Sequence, residues 1–221
     1  MAATCLTAIS FGQRLTQVTL TNSPGSDIIS YMTDDNVIIN LSLDGKVIEW
    51  GIEYAAGRYN NYPGKLDKYM GRTDYYGEAD NVDFRGKVKY LGRTSFTYYS
   101  SYENELLKGK LKSIGSTIID YYNNFEDEAL RGKIRNAGAT TFTYYSSFDN
   151  EAFRGRFKTI GGSSFTYYTS FDDKAYKGKI KSIGSHNFSY YSSFDKQEYR
   201  GAIKGFQTQY VINGIKFLLR N

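Results

Sequence analysis

One cysteine, one histidine, one tryptophan and two prolines are found among 221 residues. A lone cysteine excludes a disulfide framework within the chain, and a single histidine beside it leaves no Cys/His metal cluster to assemble. No apolar run approaches the ~18–20 residues of a membrane-spanning helix, so a helical membrane protein is excluded. No P-loop, dinucleotide fingerprint or nucleophile elbow is present, and no cofactor is expected. Charge of one sign is also scarce in excess: 28 basic against 23 acidic residues leave +5, so where the charges stand matters more than their sum. What abounds is aromatic residues and glycine, with 22 Tyr, 14 Phe and 22 Gly. A hydrophobic content of 40% rules out a disordered or collagen-like chain.

The glycines are periodic. Gly86, Gly109, Gly132, Gly155, Gly178 and Gly201 are 23 residues apart, and Gly92, Gly115, Gly138, Gly161 and Gly184 keep the same step. Between them one phrase recurs as SFTYYSSYENELLKG, TFTYYSSFDNEAFRG, SFTYYTSFDDKAYKG and NFSYYSSFDKQEYRG, with TIIDYYNNFEDEALRG a diverged copy. A tandem array therefore runs from about Gly64 to Gly205, and earlier, fainter copies precede Gly86.

Each unit holds two alternating segments. Phe142, Tyr144, Ser146 and Phe148 share one face; Phe153, Gly155 and Phe157 share another, opposed by Arg154, Arg156 and Lys158. A period of two in Phe, Tyr and Thr reads as half-buried strand. The residues from Asp149 to Ala152 form the hairpin loop, with Phe148 and Phe153 expected on the same side. The predicted fold class is all-β: tandem β-hairpins forming an antiparallel meander that coils into a solenoid-like or barrel-like sheet. Its apolar face carries the columns Phe96, Ile119, Phe142, Phe165, Phe188; Tyr98, Tyr121, Tyr144, Tyr167, Tyr190; and Val88, Leu111, Ile134, Phe157, Ile180, Ile203. Strand glycines of the Gly86 series are expected beneath neighbouring rings. Ile114, Ile160 and Ile183 read as out of phase with that core, folding over the end of the sheet. A dozen strands would spread ~60 Å, and an aromatic face so wide must be covered. Coiling of the sheet, or pairing of two chains, would cover it.

The organisation follows: residues 1–12 as a truncated signal peptide, 13–63 as an N-terminal β cap with one or two degenerate repeats, 64–206 as the hairpin array and 207–221 as a capping strand. The small, apolar start running into Ser10, Phe11, Gly12 and Gln13 resembles the end of an export leader, though it lacks a basic flank. That reading places the protein in the periplasm, at the cell surface or outside the cell.

Cations recur as regularly as the rings: Arg85, Lys87, Lys89; Lys108, Lys110, Lys112; Arg131, Lys133, Arg135; Arg154, Arg156, Lys158; Lys177, Lys179, Lys181; Arg200 and Lys204, interrupted only by Ala202. Alternation puts them on the face opposite the core, interleaved with Tyr99, Tyr122, Tyr145, Tyr168 and Tyr191. Such a surface could hold a polyanion by charge, or a glycan by stacking, one ring per repeat. The plainer reading, which the repetition favours, is a solvated sheet face whose Lys stems pack on Tyr rings. The partner expected is an acidic polymer, a glycan or another cell-surface protein; no nucleic acid is required. The hairpin loops gather the acids, among them Glu103, Glu126, Asp127, Asp149, Asp172, Asp173 and Asp195, which could bind Ca²⁺ or simply balance the basic strands, and which match no calcium-loop spacing. Near-equivalent loops argue against a single catalytic carboxylate pair.

The period of 23 and openings such as Phe84-Arg85-Gly86-Lys87-Val88 and Tyr176-Lys177-Gly178-Lys179-Ile180 resemble the MORN repeat, a hairpin unit opening Tyr-x-Gly. The likeness spans residues 84–204 and omits the central Gly-x-Gly. It implies an elongated curved sheet, and no binding residues are carried over. The whole unit is similar to secreted β-hairpin repeat proteins of the Bacteroidetes type, a resemblance that implies no particular activity. The function expected is that of a non-enzymatic exported binding or structural surface; the alternative is an outer-membrane β-barrel with a basic lumen, which the short strands fit poorly.

Overall fold

The structure is a computed structural model describing residues 13–23, 25–54, 64–205 and 207–220. The proposed leader, residues 1–12, lies outside the described residues. Five strands precede the regular units: β1 (Arg14–Leu20), β2 (Ile28–Met32), β3 (Ile38–Ser42), β4 (Val47–Glu53) and β5 (Leu66–Asp67). The array follows as β6 (Thr73–Tyr75), β7 (Val88–Leu91), β8 (Thr94–Tyr98), β9 (Leu111–Ile114), β10 (Thr117–Tyr121) and β11 (Ile134–Ala137). It continues through β12 (Thr140–Tyr144), β13 (Phe157–Ile160), β14 (Ser163–Tyr167), β15 (Ile180–Ile183) and β16 (His186–Asn187). Two strands, β17 (Gln209–Ile212) and β18 (Ile215–Leu219), close the chain.

The eleven array strands form an antiparallel meander in chain order from β16 to β6, as the hairpin reading requires. The array is the curled, solenoid-like all-β sheet expected, and its aromatic face is covered by a second layer built within the same chain. The two ends of the chain build a second sheet in the order β17-β18-β1-β2-β3-β4-β5, joined by the parallel pair β1–β18. That sheet lies on the apolar face of the array. The Ile134 amide donates to the Leu43 carbonyl at 2.8 Å, and the Tyr31 hydroxyl reaches the Ala137 carbonyl at 3.4 Å. Phe165 meets Phe217 with ring centroids 5.6 Å apart. Neither sheet closes on itself, and the aromatic face is buried between layers. It is therefore not turned outward around a closed barrel, as the membrane alternative needs.

The predicted columns are the core: Phe96, Phe142, Phe157 and Phe165 are all fully buried, as are Leu111 and Ile134. Each full burial of such a side chain contributes roughly 1.5–3 kcal/mol. Ile114, Ile160 and Ile183 are fully buried too, against the expectation that they fold over the sheet end. A β-bulge in each repeat explains this. In the β12–β13 pair the register shifts between Thr143 and Tyr144, so that Phe142 faces Ile160 and Tyr144 faces Phe157. Two core residues three apart can then both point inward.

The Gly86 series is not in strands. These glycines occupy turns with φ near +70°, among them Gly178 at +73°. A Cβ on Gly178 would stand 2.5 Å from the Ala152 carbonyl oxygen of the preceding repeat. Positive φ and close backbone approach, rather than an overlying ring, require glycine there.

Candidate functional site

The strands end sooner than the alternation suggests. After Tyr144 the chain turns, because Asp149 Oδ2 accepts from the Ser146 amide at 2.6 Å and from its hydroxyl at 2.8 Å. Asp172 does the same for Thr169, Asp195 for Ser192 and Glu103 for Ser100. The serine–carboxylate turn holds four residues in a tight loop and leaves the third at its tip. That third residue is aromatic in every one of these loops. Tyr102, Phe148, Phe171 and Phe194 are each 93% exposed, and Phe125 is 98% exposed. Phe148, expected beside Phe153 on the core face, instead projects into solvent, while Phe153 packs against Tyr145 at 4.6 Å between centroids.

These tips are fixed relative to one another. Asp83 accepts from the Ser101 amide and hydroxyl, Asp127 from those of Ser147, and Asp173 from those of Ser193. Asn150 makes the corresponding pair with Ser170. Four of the five ring-bearing loops are thus pinned by their predecessors; in the Phe125 loop the corresponding Asn104 instead accepts from the Leu106 amide. With two strands per repeat, the rings recur every ~10 Å along the array. Of the loop acids, Glu103, Asp127, Asp149, Asp172, Asp173 and Asp195 are spent on these hydrogen bonds and Glu126 pairs with Arg135; no group of three potential metal ligands occurs among the described residues. Hydrogen bonds from Ser192 and Thr169 hold the Asp195 and Asp172 carboxyls below the usual range.

The cations divide into three columns with different surroundings. The first is exposed and tied to the loops: Arg131, Arg154 and Arg200 donate through Nε to the carbonyls of Glu126, Asp149 and Asp195, and Arg85 reaches Asp80 more weakly at 3.4 Å. Lys108 and Lys177 instead pair with Asp83 and Glu151 of the preceding repeat. The middle column, expected on the open face, is turned into the structure. Lys110, Lys133 and Lys179 donate to the carbonyls of Gly132, Gly155 and Gly201, one repeat ahead, at 2.5–2.6 Å. Each lies over the inner tyrosine of that repeat, as does Lys87 over Tyr98. Burial pulls Lys133 down to about 8 and lowers Lys110 and Lys179. Arg156 goes further: only 4% exposed, it sits over Tyr167 and donates to the Asn22 carbonyl of the covering sheet. Its Nε and the Tyr167 hydroxyl are buried without a hydrogen-bond partner, and Arg156, Tyr167 and Asp27 line a cavity of about 20 Å³, room for one water. The third column, Lys89, Lys112, Arg135, Lys158, Lys181 and Lys204, spans the outer tyrosines from Tyr76 to Tyr191. Lys89, Lys112 and Arg135 also pair with Asp80, Glu103 and Glu126.

The outer tyrosines are not a free stacking column. Tyr99, Tyr122, Tyr145 and Tyr168 are buried or half-buried, and their hydroxyls donate to Ile119, Phe142, Phe165 and Phe188 of the next repeat at 2.8–3.2 Å. Local alternation cannot register a neighbour 20 residues ahead. Tyr191, in the last unit, packs on Tyr199 at 5.5 Å. The free rings stand three residues further along each phrase. The recurring Ser-x-x-Asp turn was the signal that could have located them.

A repeat of 23 residues contributing short strands and a turn, which at Glu105–Leu107 tightens into a single helical turn, falls within the 20–29 residues of leucine-rich repeats. The BspA-type leucine-rich repeat model matches residues 74–195 in six copies. The chain belongs to that family. In this leucine-rich repeat array, Phe, Tyr and Ile fill most of the buried columns. The MORN likeness rests only on the Tyr-x-Gly opening, whose glycine lies in a turn. Curated proteins and solved structures yield no match.

A second surface feature is an open groove of about 590 Å³ at β4 and β6, lined by Trp50, Tyr69, Met70 and Tyr75. Trp50 is half-buried there, packed against the edge of the core and 6.3 Å from Tyr75.

Proposed function

We propose that this leucine-rich repeat protein is a non-enzymatic, exported binding module whose contact surface is the loop edge bearing Tyr102, Phe125, Phe148, Phe171 and Phe194. The observation that carries the reading is their exposure. Five large rings stand almost wholly in water, touching no other ring among the described residues, while the Tyr98 and Tyr99 columns and the Phe96 column are buried or half-buried. The exposed neighbours vary between copies, as in ENEL, EDEA, DNEA, DDKA and DKQE, but the ring stays aromatic. A role in folding would require contacts these rings do not make. Repeat arrays offer extended surfaces of this kind, and the near-equivalent loops give none of them a chemistry the others lack. A second reading, polyanion binding, draws on the exposed members of the cation columns, such as Arg131, Arg154, Lys158 and Lys181.

The test is an array of purified proteins, glycans and acidic lipids probed with the wild-type chain and with a variant carrying serine at all five ring positions. Ligands retained by the wild type and lost by the variant support the loop edge as the contact surface. Identical profiles overturn it. Retention on heparin that falls with salt, and is unchanged in the ring variant, would shift the assignment to the cations.

A further inference from the structure

Resting on that reading, we infer that the ladder binds a linear, neutral polysaccharide, with successive rings stacking on sugar rings along one extended chain.

Three properties of the ladder favour this partner. The first is periodicity. Neighbouring tips stand one repeat, ~10 Å, apart, and those of Tyr102, Phe148, Phe171 and Phe194 are locked by the Asp83–Ser101, Asp127–Ser147, Asn150–Ser170 and Asp173–Ser193 hydrogen bonds. Only a ligand that itself repeats can meet successive rungs in the same way. An extended peptide presents side chains on one face every ~7 Å and falls out of step.

The second is isolation. Grooves that take proline-rich peptides are lined with aromatic residues, and protein interfaces need a contiguous apolar core. Here each ring is flanked by polar residues, as in Ser147-Phe148-Asp149 and Ser170-Phe171-Asp172. No ladder ring contacts another among the described residues. Their faces are left open, which suits flat stacking on the C–H face of a pyranose while its hydroxyls meet the neighbouring polar loop.

The third is charge. The residue after every ring is an acid: Glu103, Glu126, Asp149, Asp172 and Asp195. A polyanion laid along the rings would pass each of these in turn, whereas an uncharged glycan incurs no such repulsion. Arg131, Arg154 and Arg200, which reach the carbonyls of Glu126, Asp149 and Asp195, only balance these acids, so the ring row offers a polyanion no net attraction.

Five modest contacts on one rigid edge combine through effective concentration, so affinity is set by ligand length. The experiment uses the full chain and neutral β-linked polysaccharides (xylan, β-1,3-glucan and β-1,4-glucan) with oligosaccharides of two to twelve sugars, read by affinity electrophoresis and calorimetry. Affinity for at least one series should climb with length until the five rungs are spanned and then level off. Phe148→Ser should weaken the long ligand about fivefold, the loss of one stacked ring. The five-serine variant should lose retention while keeping its circular dichroism spectrum. Binding should be indifferent to salt.

Binding of every glycan by the five-serine variant as well as by the wild type would overturn the inference, as would affinity independent of length. If all neutral glycans fail while a protein or a polyproline peptide binds in a ring-dependent manner, the glycan assignment falls and the loop edge survives as a contact surface. If nothing binds in a ring-dependent manner, both fall.

Discussion

Gly178 and Gly184 offer a clean measurement of what holds one repeat to the next. Both have positive φ, +73° and +55°, so alanine at either meets the left-handed penalty of ~1–2 kcal/mol. Part of that is offset by ~0.4–1 kcal/mol, because alanine also restricts the unfolded chain. At Gly184 nothing lies within 4 Å of the added methyl, and Gly184→Ala should cost a net ~0.5–1 kcal/mol. At Gly178 the methyl would sit 2.5 Å from the Ala152 carbonyl oxygen, a backbone atom that cannot rotate away. The Gly178 amide is itself bound to the Tyr168 carbonyl at 2.8 Å, so the turn cannot retreat. Overpacking of this sort adds ~1–3 kcal/mol, for a total of ~2–4 kcal/mol. Urea unfolding at neutral pH reads both variants, and the slope checks that the cooperative unit is unchanged. Thermal midpoints should fall by ~1–4 °C for Gly184→Ala and by roughly 4–16 °C for Gly178→Ala. Equal losses at the two sites would refute the claim that close approach between repeats, rather than dihedral preference alone, requires the glycine.

Phe157→Ala, at a fully buried ring stacked on Tyr144 at 5.1 Å, should lose ~3–5 kcal/mol in the same assay. Phe148→Ser should change stability by less than ~0.5 kcal/mol, since that ring stands in water; a larger loss by urea titration would reveal a structural role for it. Asp27, buried near Arg156 and bound to Thr21, is pushed up to about 6 by burial, against 3.8 ordinarily. Its folded value lies above its unfolded one, so its stabilising contribution is full below about pH 4 and is lost as pH rises through 6. Asp27→Asn should therefore flatten stability between pH 4 and 6 relative to the wild type, measured as the difference in urea midpoints; parallel curves would contradict the buried-acid assignment. Lys133→Met should preserve the stem over Tyr144 while removing an ammonium that burial holds near 8, so its stability gain over the wild type should shrink as pH rises from 7 to 10.

The repeat, the hairpin and the core columns were legible because period-two patterning is a local property and the array presents it several times. What was hidden follows from non-local geometry. The phrase Phe142, Tyr144, Ser146, Phe148 alternates without a break, yet the strand stops at Tyr144 because a carboxylate three residues beyond Ser146 captures its amide. Extending the alternation therefore placed Phe148 inside and the stacking column at Tyr145. The bulge that brings Ile160 into the core leaves no mark on composition. The destination of Lys133 depends on Gly155, 22 residues on. The second sheet was the least legible feature: its parallel pairing of Val18 with Phe217 joins opposite ends of the chain, and no local pattern announces it.

Two departures from the period acquire meaning from these contacts. Ala202 replaces the lysine that reaches one unit ahead, and Lys196 replaces the Asp or Asn that grips the following turn. Both links are missing at the one place where no further unit exists to receive them. The covering layer is equally particular: Arg156 meets Asn22, Thr117 meets Gln13 and Arg93 meets Asp35, a set of partners with no period of its own. Duplication of an internal unit would slide half of the array out from under its lid and uncover a row of phenyl rings. The number of repeats in this protein is thus bounded by the width of its cover, and growth by simple copying, open to an uncovered solenoid, would here require both layers to lengthen together.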